Sequence, residues 1–250
     1  MIKVIINGCN GAMGHVLTDI ISQEENMEVV AGVDMNTEQH GGYPVFSSLT
    51  ECPEADVIID FSVAKATDSL LAYCEEKKVP LVLCTTGLSD EQLNRVEALS
   101  KTSAVLRSAN MSVGINLLLK VLKEISPVLA SAGFDIEILE KHHNRKLDAP
   151  SGTAIALADA INESLNNEYH YQYDRTSRRA KRDPKEIGLQ AMRGGTIVGE
   201  HDIMFAGRDE VITLQHTAYS REIFAKGAVE AAKFLAGKPA GMYDMSDVIG

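Results

Sequence analysis

Lys3-Val4-Ile5-Ile6-Asn7-Gly8-Cys9-Asn10-Gly11-Ala12-Met13-Gly14-His15-Val16-Leu17 decides the fold of this chain. A β-branched run ends in a glycine turn, and a helical pattern reaching Ile21 follows directly. Strand, glycine turn and helix in that order open a βαβ unit whose helix N-terminus suits an anion. Gly8 and Gly11 let the backbone approach a pyrophosphate, and Gly14 lets the helix pack on the strand. The Gly-x-x-Gly-x-x-Gly spacing departs from the commoner dinucleotide fingerprint, so the turn alone is a moderate signal. Its context strengthens it. A second strand, Met27 to Val33, ends at Asp34, about twenty residues beyond the turn, where an acidic side chain can bond ribose hydroxyls. Met35 follows rather than an arginine, so nothing adjacent welcomes a 2′-phosphate, and NAD is expected over NADP.

Outward from this unit the alternation continues. Asp56 to Phe61, Val79 to Cys84 and Ser103 to Leu106 read as strands, and Ala66 to Lys78 and Ser89 to Lys101 as helices. Ser89 and Gln92 have the spacing of a capping box. The pattern predicts an α/β fold, a Rossmann-like doubly wound parallel sheet, with ligands beyond the carboxyl ends of its strands. Thr85-Thr86-Gly87 and Ser108-Ala109-Asn110-Met111 fall there. Val113 to Ala130 reads as a long apolar helix interrupted by Pro127, joining the two halves.

Beyond it the pattern changes. Strand Asp135 to His142 and a helix from Thr153 precede three strand-like runs, Ile187 to Arg193, Thr196 to Phe205 and Glu210 to Tyr219. Runs of strands imply a second, α+β domain with a mixed or antiparallel sheet. A last helix, Arg221 to Leu235, stops at Gly237-Lys238-Pro239. The cationic run Arg175, Arg178, Arg179, Lys181, Arg182 reads as a solvated loop.

The densest chemistry lies in Glu140 to Ala154, Glu-Lys-His-His-Asn-Arg-Lys-Leu-Asp-Ala-Pro-Ser-Gly-Thr-Ala. Two adjacent histidines, Arg145, Lys146 and Asp148 follow an apolar strand, and Ser151 is the expected cap of the next helix. The first amides of that helix lack intrahelical acceptors, so Gly152 and Thr153 can cradle a carboxylate or phosphate. A proton donor, fixed positive charge and an anion cradle beside a nicotinamide-binding unit point to hydride transfer, which leaves charge to be protonated.

Composition narrows the classes. The 250 residues allow one large or two modest domains, and no apolar run approaches the length that spans a bilayer. The net charge of −11 argues against a general nucleic-acid binder. Cys9, Cys52, Cys74 and Cys84 lie far apart without metal-ligand spacing, so reduced thiols, a cytoplasmic location and no structural metal are expected.

With these residues in view, the sequence resembles the 4-hydroxy-tetrahydrodipicolinate reductase family, also called dihydrodipicolinate reductases, of diaminopimelate and lysine biosynthesis. The resemblance covers essentially the whole chain. It rests on Gly8 to Gly14, Cys84 to Gly87, Ser108 to Gly114, Glu140 to Ala154, Gly199-Glu200-His201 and Met242-Tyr243-Asp244-Met245. It implies reduction of 4-hydroxy-tetrahydrodipicolinate to tetrahydrodipicolinate with NADH, expected to be preferred, or NADPH. His142 corresponds to the family's catalytic proton donor or acceptor and Lys146 to its second donor; His143, Gly152 and Thr153 correspond to positions binding the substrate dicarboxylate. Gly8, Cys9, Asn10, Gly11, Ala12, Met13, Asp34, Cys84, Thr85, Thr86, Ser108, Ala109, Asn110 and Met111 fall on its cofactor-contacting positions. The resemblance further implies a homotetramer built through the substrate-domain sheets, with residues 1–112 and 220–250 binding the dinucleotide and 113–219 binding substrate and tetramerising.

Two departures bear on cofactor choice: Ala12 stands where the family commonly has arginine, and Cys84 where it usually has glycine. Another two-domain dehydrogenase would share the first half but not the His-His and Pro-Ser-Gly-Thr segments. A non-catalytic NAD sensor would need a DNA-reading helix and a basic surface, and Ser151 lacks the Gly-x-Ser-x-Gly elbow of a serine hydrolase.

Overall fold

The computed structural model describes residues 1–176 and 178–250 and divides into two compact units, Met1–Val113 with Glu222–Gly250, and Gly114–Arg221. In the first unit β1 (Ile2–Asn7), α1 (Ala12–Ile21), β2 (Met27–Val33), β3 (Val45–Phe46), β4 (Val57–Asp60), α2 (Thr67–Lys77), β5 (Leu81–Leu83), α3 (Asp90–Ser100) and β6 (Ala104–Leu106) follow in turn. The chain returns to this unit with α6 (Glu222–Leu235), β12 (Gly241–Tyr243) and α7 (Met245–Ile249), while α4 (Val113–Ser131) leads out of it.

The seven strands form one parallel sheet in the order β12-β6-β5-β4-β1-β2-β3. Its strands are mostly apolar because both faces are covered. Val4 and Ile6 pack with Leu17, Ile21 and the alanine-rich face of α6, whereas Ile5 and Ile58 pack with Leu70 and Leu71 of α2 and Val96 and Leu99 of α3. The capping box at α3 forms as its sequence requires: Ser89 Oγ accepts from the Gln92 amide and Gln92 Oε1 from the Ser89 amide. Such a cap contributes about 1 kcal/mol.

In the second unit, β7 (Asp135–His142), α5 (Gly152–Ser164), β8 (His170–Gln172), β9 (Glu186–Arg193), β10 (Gly199–Ala206) and β11 (Val211–Ala218) build a five-stranded mixed sheet ordered β11-β10-β7-β9-β8. β10 pairs antiparallel with β11 and with β7, while β9 pairs parallel with β7 and with β8. Ile136, Ile138, Ile187, Leu189, Ile203 and Phe205 bury one face beneath Leu157 and Ile161 of α5 and Leu122 of α4. The opposite face carries Glu137, Leu139, Gln190, Asp202, Met204 and Gln215 around a shallow cavity.

Several expectations are corrected. α4 runs through Pro127 without interruption. Three short strands went unread, β3, β8 and β12, each of two or three residues. So short a stretch has no periodicity to detect; it becomes a strand because a neighbour offers a ladder. The cationic run is a solvated loop only in part: Arg179 and Lys181 are exposed, but the other three arginines are engaged. Arg182 donates to Glu137, Asp135 and the carbonyls of Ile136 and Glu186, and Arg175 and Arg178 pair with the fully buried Glu186. No described helix is long and apolar enough to cross a membrane, and no group of three or more metal-ligating side chains occurs among the described residues.

Candidate active site

The glycine turn sits at the carboxyl end of β1. Gly8 has φ +84°, and a Cβ there would lie 2.8 Å from the Phe61 carbonyl oxygen, so only glycine fits. A Cβ at Gly14 would overlap the carbonyl oxygens of Gly8 and Cys9. Gly11 caps α1 without any side-chain bond, and the first turn holds no acidic residue, which leaves the helix N-terminus bare for an anion. Ala12 is exposed and Met13 half-buried on this turn, while Cys9, expected as a cofactor contact, is fully buried, its side chain against Gly32 and its amide donating to the Val33 carbonyl.

Asp34 Oδ2 accepts from the Asn10 amide at 3.1 Å and Oδ1 from the Asn36 amide at 3.3 Å. The Asn10 side chain donates to the carbonyls of Asn36 and Glu38, at 2.6 and 2.9 Å, tying the residues after Asp34 to the turn. Met35 is fully exposed. At the ends of β5 and β6 the other expected cofactor residues follow. The Thr85 hydroxyl is buried with no partner among the described residues, Thr86 is exposed, and Gly87 turns the chain at φ +75°. Ser108 is half-buried, Ala109 exposed, Asn110 Oδ1 accepts from the Ser112 amide at 2.8 Å, and Met111 is buried with its carbonyl closely packed on Gly227. Burial, reinforced by Asp60, raises the Cys84 thiol well above its ordinary value, so this substitution adds a neutral group. An orphaned buried hydroxyl, an uncapped helix and a turn only glycine can make suit a dinucleotide.

In the second unit, the alternation that buries Ile136 and Ile138 continues to Glu140 and His142 at the end of β7. Glu140 is fully buried and accepts from His142 Nδ1 at 2.6 Å, the Ser151 amide at 2.9 Å, and Nη1 and Nη2 of Arg193, both at 2.7 Å. Burial alone would raise this carboxyl, but the bonds from Arg193, His142 and Ser151 outweigh it and hold its pKa below the ordinary value. The far side of the His142 ring lies over Gly199, where a Cβ would sit 3.1 Å from Nε2. Nδ1 is thus engaged by Glu140, and Nε2 lies on the opposite side of the ring.

Ser151 caps α5, its Oγ accepting from the Ala154 amide at 3.1 Å, as expected. Gly152 and Thr153 open that helix. His201 on β10 places Nε2 3.1 Å from Ser151 Oγ and its ring edge-on to His142, with centroids 5.2 Å apart. Burial lowers its pKa to about 4, with the neighbouring His142 adding to the effect, so it is neutral near pH 7. His143 is half-buried, and burial together with Arg145, Arg221 and Lys146 lowers its pKa. Lys146 pairs with Asp148 at 2.9 Å, with its side chain 21% exposed. Glu140 and Arg193 were missed as site residues; the i, i+2 spacing of Glu140 and His142 on one strand face was the available signal.

A parallel sheet with this glycine turn, joined to a mixed-sheet unit bearing a histidine, a lysine and the N-terminus of α5, defines a two-domain oxidoreductase of dinucleotide-binding type. Comparison with known proteins narrows this to one family. The chain belongs to the dihydrodipicolinate reductases: residues 2–111 match the model of that family's N-terminus and residues 114–249 that of its C-terminus. It is 53% identical over 250 residues to the 4-hydroxy-tetrahydrodipicolinate reductase of Caldanaerobacter subterraneus subsp. tengcongensis, covering 100% of this chain and 98% of that one. It is 48% identical to the enzyme of the same name from Clostridium novyi, with the same coverage. Among solved structures, a dipicolinate-bound dihydrodipicolinate reductase from Paenisporosarcina sp. TG-14 superposes with TM-score 0.79 at 28% identity, covering 98% of this chain and 97% of that one. A probable dehydrogenase from Thermotoga maritima shares the fold alone, with TM-score 0.62 at 12% identity, covering 98% of this chain and 92% of that one.

Proposed function

We propose that this chain reduces 4-hydroxy-tetrahydrodipicolinate to tetrahydrodipicolinate with NAD(P)H, in the diaminopimelate route to lysine. The observation that carries the reading is the convergence at the end of β7. His142 is anchored through Nδ1, the Lys146 loop follows it, and the first turn of α5, opened by Gly152 and Thr153, comes next, in a chain that matches the reductase family from end to end. The first unit is the dinucleotide-binding domain and the second the substrate domain. Gly8 to Met13, Asp34, Cys84 to Thr86 and Ser108 to Met111 hold the cofactor, which when bound supplies the hydride.

The residues of the chain do the rest. His143 and the Gly152 and Thr153 amides bind substrate carboxylate, where the helix dipole favours negative charge. Lys146 gives up Asp148 to neutralise or protonate substrate, and His142 exchanges a proton at Nε2. Asp34, the neighbouring Glu38 and the absence of a cation at positions 12 and 35 favour NADH over NADPH, since a 2′-phosphate would meet carboxylates. Four unpaired cysteines suit a reducing, cytoplasmic setting. The face of the second sheet left open around Leu139 and Met204, and its edge strand β11 with Val211 and Ile212 exposed, support a homotetramer formed through these sheets.

The test is oxidation of NADH and of NADPH by the purified protein, with substrate generated in place by the preceding synthase, alongside light scattering for the assembly. Synthase-dependent oxidation is expected, faster with NADH, from a tetramer. No oxidation with either nucleotide, by folded protein that still binds NADH, would overturn the assignment.

A further inference from the structure

Glu140 is buried completely, yet no part of its carboxylate lacks a partner. Oε2 takes His142 Nδ1 and Arg193 Nη1; Oε1 takes the Ser151 amide and Arg193 Nη2. The donors come from three separate places: the end of β7, the end of β9 and the residue that caps α5. Arg193 is itself held, donating to the carbonyls of Met192 and Asp148, both at 2.6 Å. Register explains the meeting: Arg193 stands beside His142 in the parallel β7–β9 pair, and His201 stands beside Glu140 in the antiparallel β7–β10 pair.

An ionised carboxylate only accepts, so it selects the His142 tautomer with its hydrogen on Nδ1 and keeps Nε2 as the exchanging nitrogen. The same carboxylate, through the Ser151 amide, fixes where α5 begins, and with it the Gly152 and Thr153 amides. The bidentate arginine balances its charge without competing for the histidine.

We propose that Glu140 is a positioning residue for the reduction, holding the proton-exchanging ring and the anion cradle in one register through a single carboxylate neutralised by Arg193. This rests on the reading of His142 and the cradle given under Proposed function. The charged and titratable groups facing the pair are Arg193 from β9, His201 from β10, and His143, Lys146 and Asp148 from the loop after β7; His216 on β11 lies beyond His201.

The experiment compares Glu140→Gln, Glu140→Asp and Arg193→Lys with wild type in four readouts: NADH affinity, dipicolinate affinity by calorimetry, kcat against pH, and nitrogen NMR of the His142 ring. A glutamine amide must turn an N–H toward Arg193, His142 or Ser151. In Glu140→Gln, kcat is therefore expected to fall on the order of 100-fold. Dipicolinate should bind several-fold more weakly, and NADH unchanged. The His142 ring should lose its single tautomer, and the dependence of kcat on pH should change with it. Glu140→Asp and Arg193→Lys should show the same signs more weakly, and they carry the test if Glu140→Gln does not fold.

Wild-type kcat and pH profile in any folded variant would overturn the proposal. So would a kcat lost in step with stability while the tautomer and pH profile stay fixed. Wild-type turnover is measured first. If wild type does not turn over, the assigned reaction fails by itself, while the tautomer and dipicolinate readouts still decide whether Glu140 couples ring and cradle.

Discussion

Gly188 on β9 stands beside Glu137 on β7, and any Cβ at position 188 would overlap the Glu137 carboxylate. The missing side chain lets Glu137 lie across the neighbouring strand and receive Arg175 at 2.7 Å and Arg182 at 3.1 Å. Gly188→Ala is therefore expected to displace Glu137, loosen the arginine-bearing segment and cost about 2 kcal/mol. Urea unfolding measures the loss, and Arg182→Ala should reproduce it; unchanged midpoints in both would refute the clasp.

Gly199 plays a corresponding part beside His142. Its backbone is not left-handed, so alanine is sterically permitted in the chain itself, but the new Cβ would sit 3.1 Å from Nε2. Gly199→Ala should lower kcat about tenfold or more by crowding the exchanging nitrogen, with stability within about 1 kcal/mol of wild type. Steady-state kinetics beside thermal unfolding separate the two effects.

Lys146 forms one partly exposed pair, with Asp148. Such a pair contributes roughly 0 to 1 kcal/mol, so Lys146→Ala should fold normally. Its turnover should nonetheless fall by about 100-fold or more if the ammonium meets developing charge. Rates like those of wild type would remove Lys146 from the mechanism.

His201 gives stability a defined pH dependence. Its folded pKa is lowered to about 4 by burial, below its unfolded value, so the unfolded chain takes up a proton that the folded chain refuses. The contribution is present above the unfolded pKa and is lost as pH falls from there toward about 4. Between neutral pH and pH of about 5 this amounts to about 2 kcal/mol. His201→Gln should flatten the urea-derived stability curve in that window by a similar amount; an unchanged slope would show that His201 titrates normally.

Cofactor preference is tested at the exposed Met35. Met35→Arg offers a guanidinium beside Asp34, and NADPH should bind roughly tenfold more tightly while NADH changes little. Fluorescence titration with each nucleotide reads this directly.

The sequence by itself determined five of the seven strands of the first unit, because both-face burial leaves apolar runs and glycines mark the turns that nothing else can make. It also determined the Ser89 capping box, the Ser151 cap and β7 from Asp135 to His142, all written in local chemistry. Only the tertiary structure decided that β12 completes the parallel sheet, and that the arginines after β8 close over Glu186 and Glu137. It alone showed that Glu140 gathers His142, Ser151 and Arg193 on one carboxylate. The physical reason is range. Caps, turns and periodicity are fixed by residues a few positions apart, whereas the partners of a buried charge are chosen by strand register, which brings together residues as distant in the chain as Glu140 and Arg193.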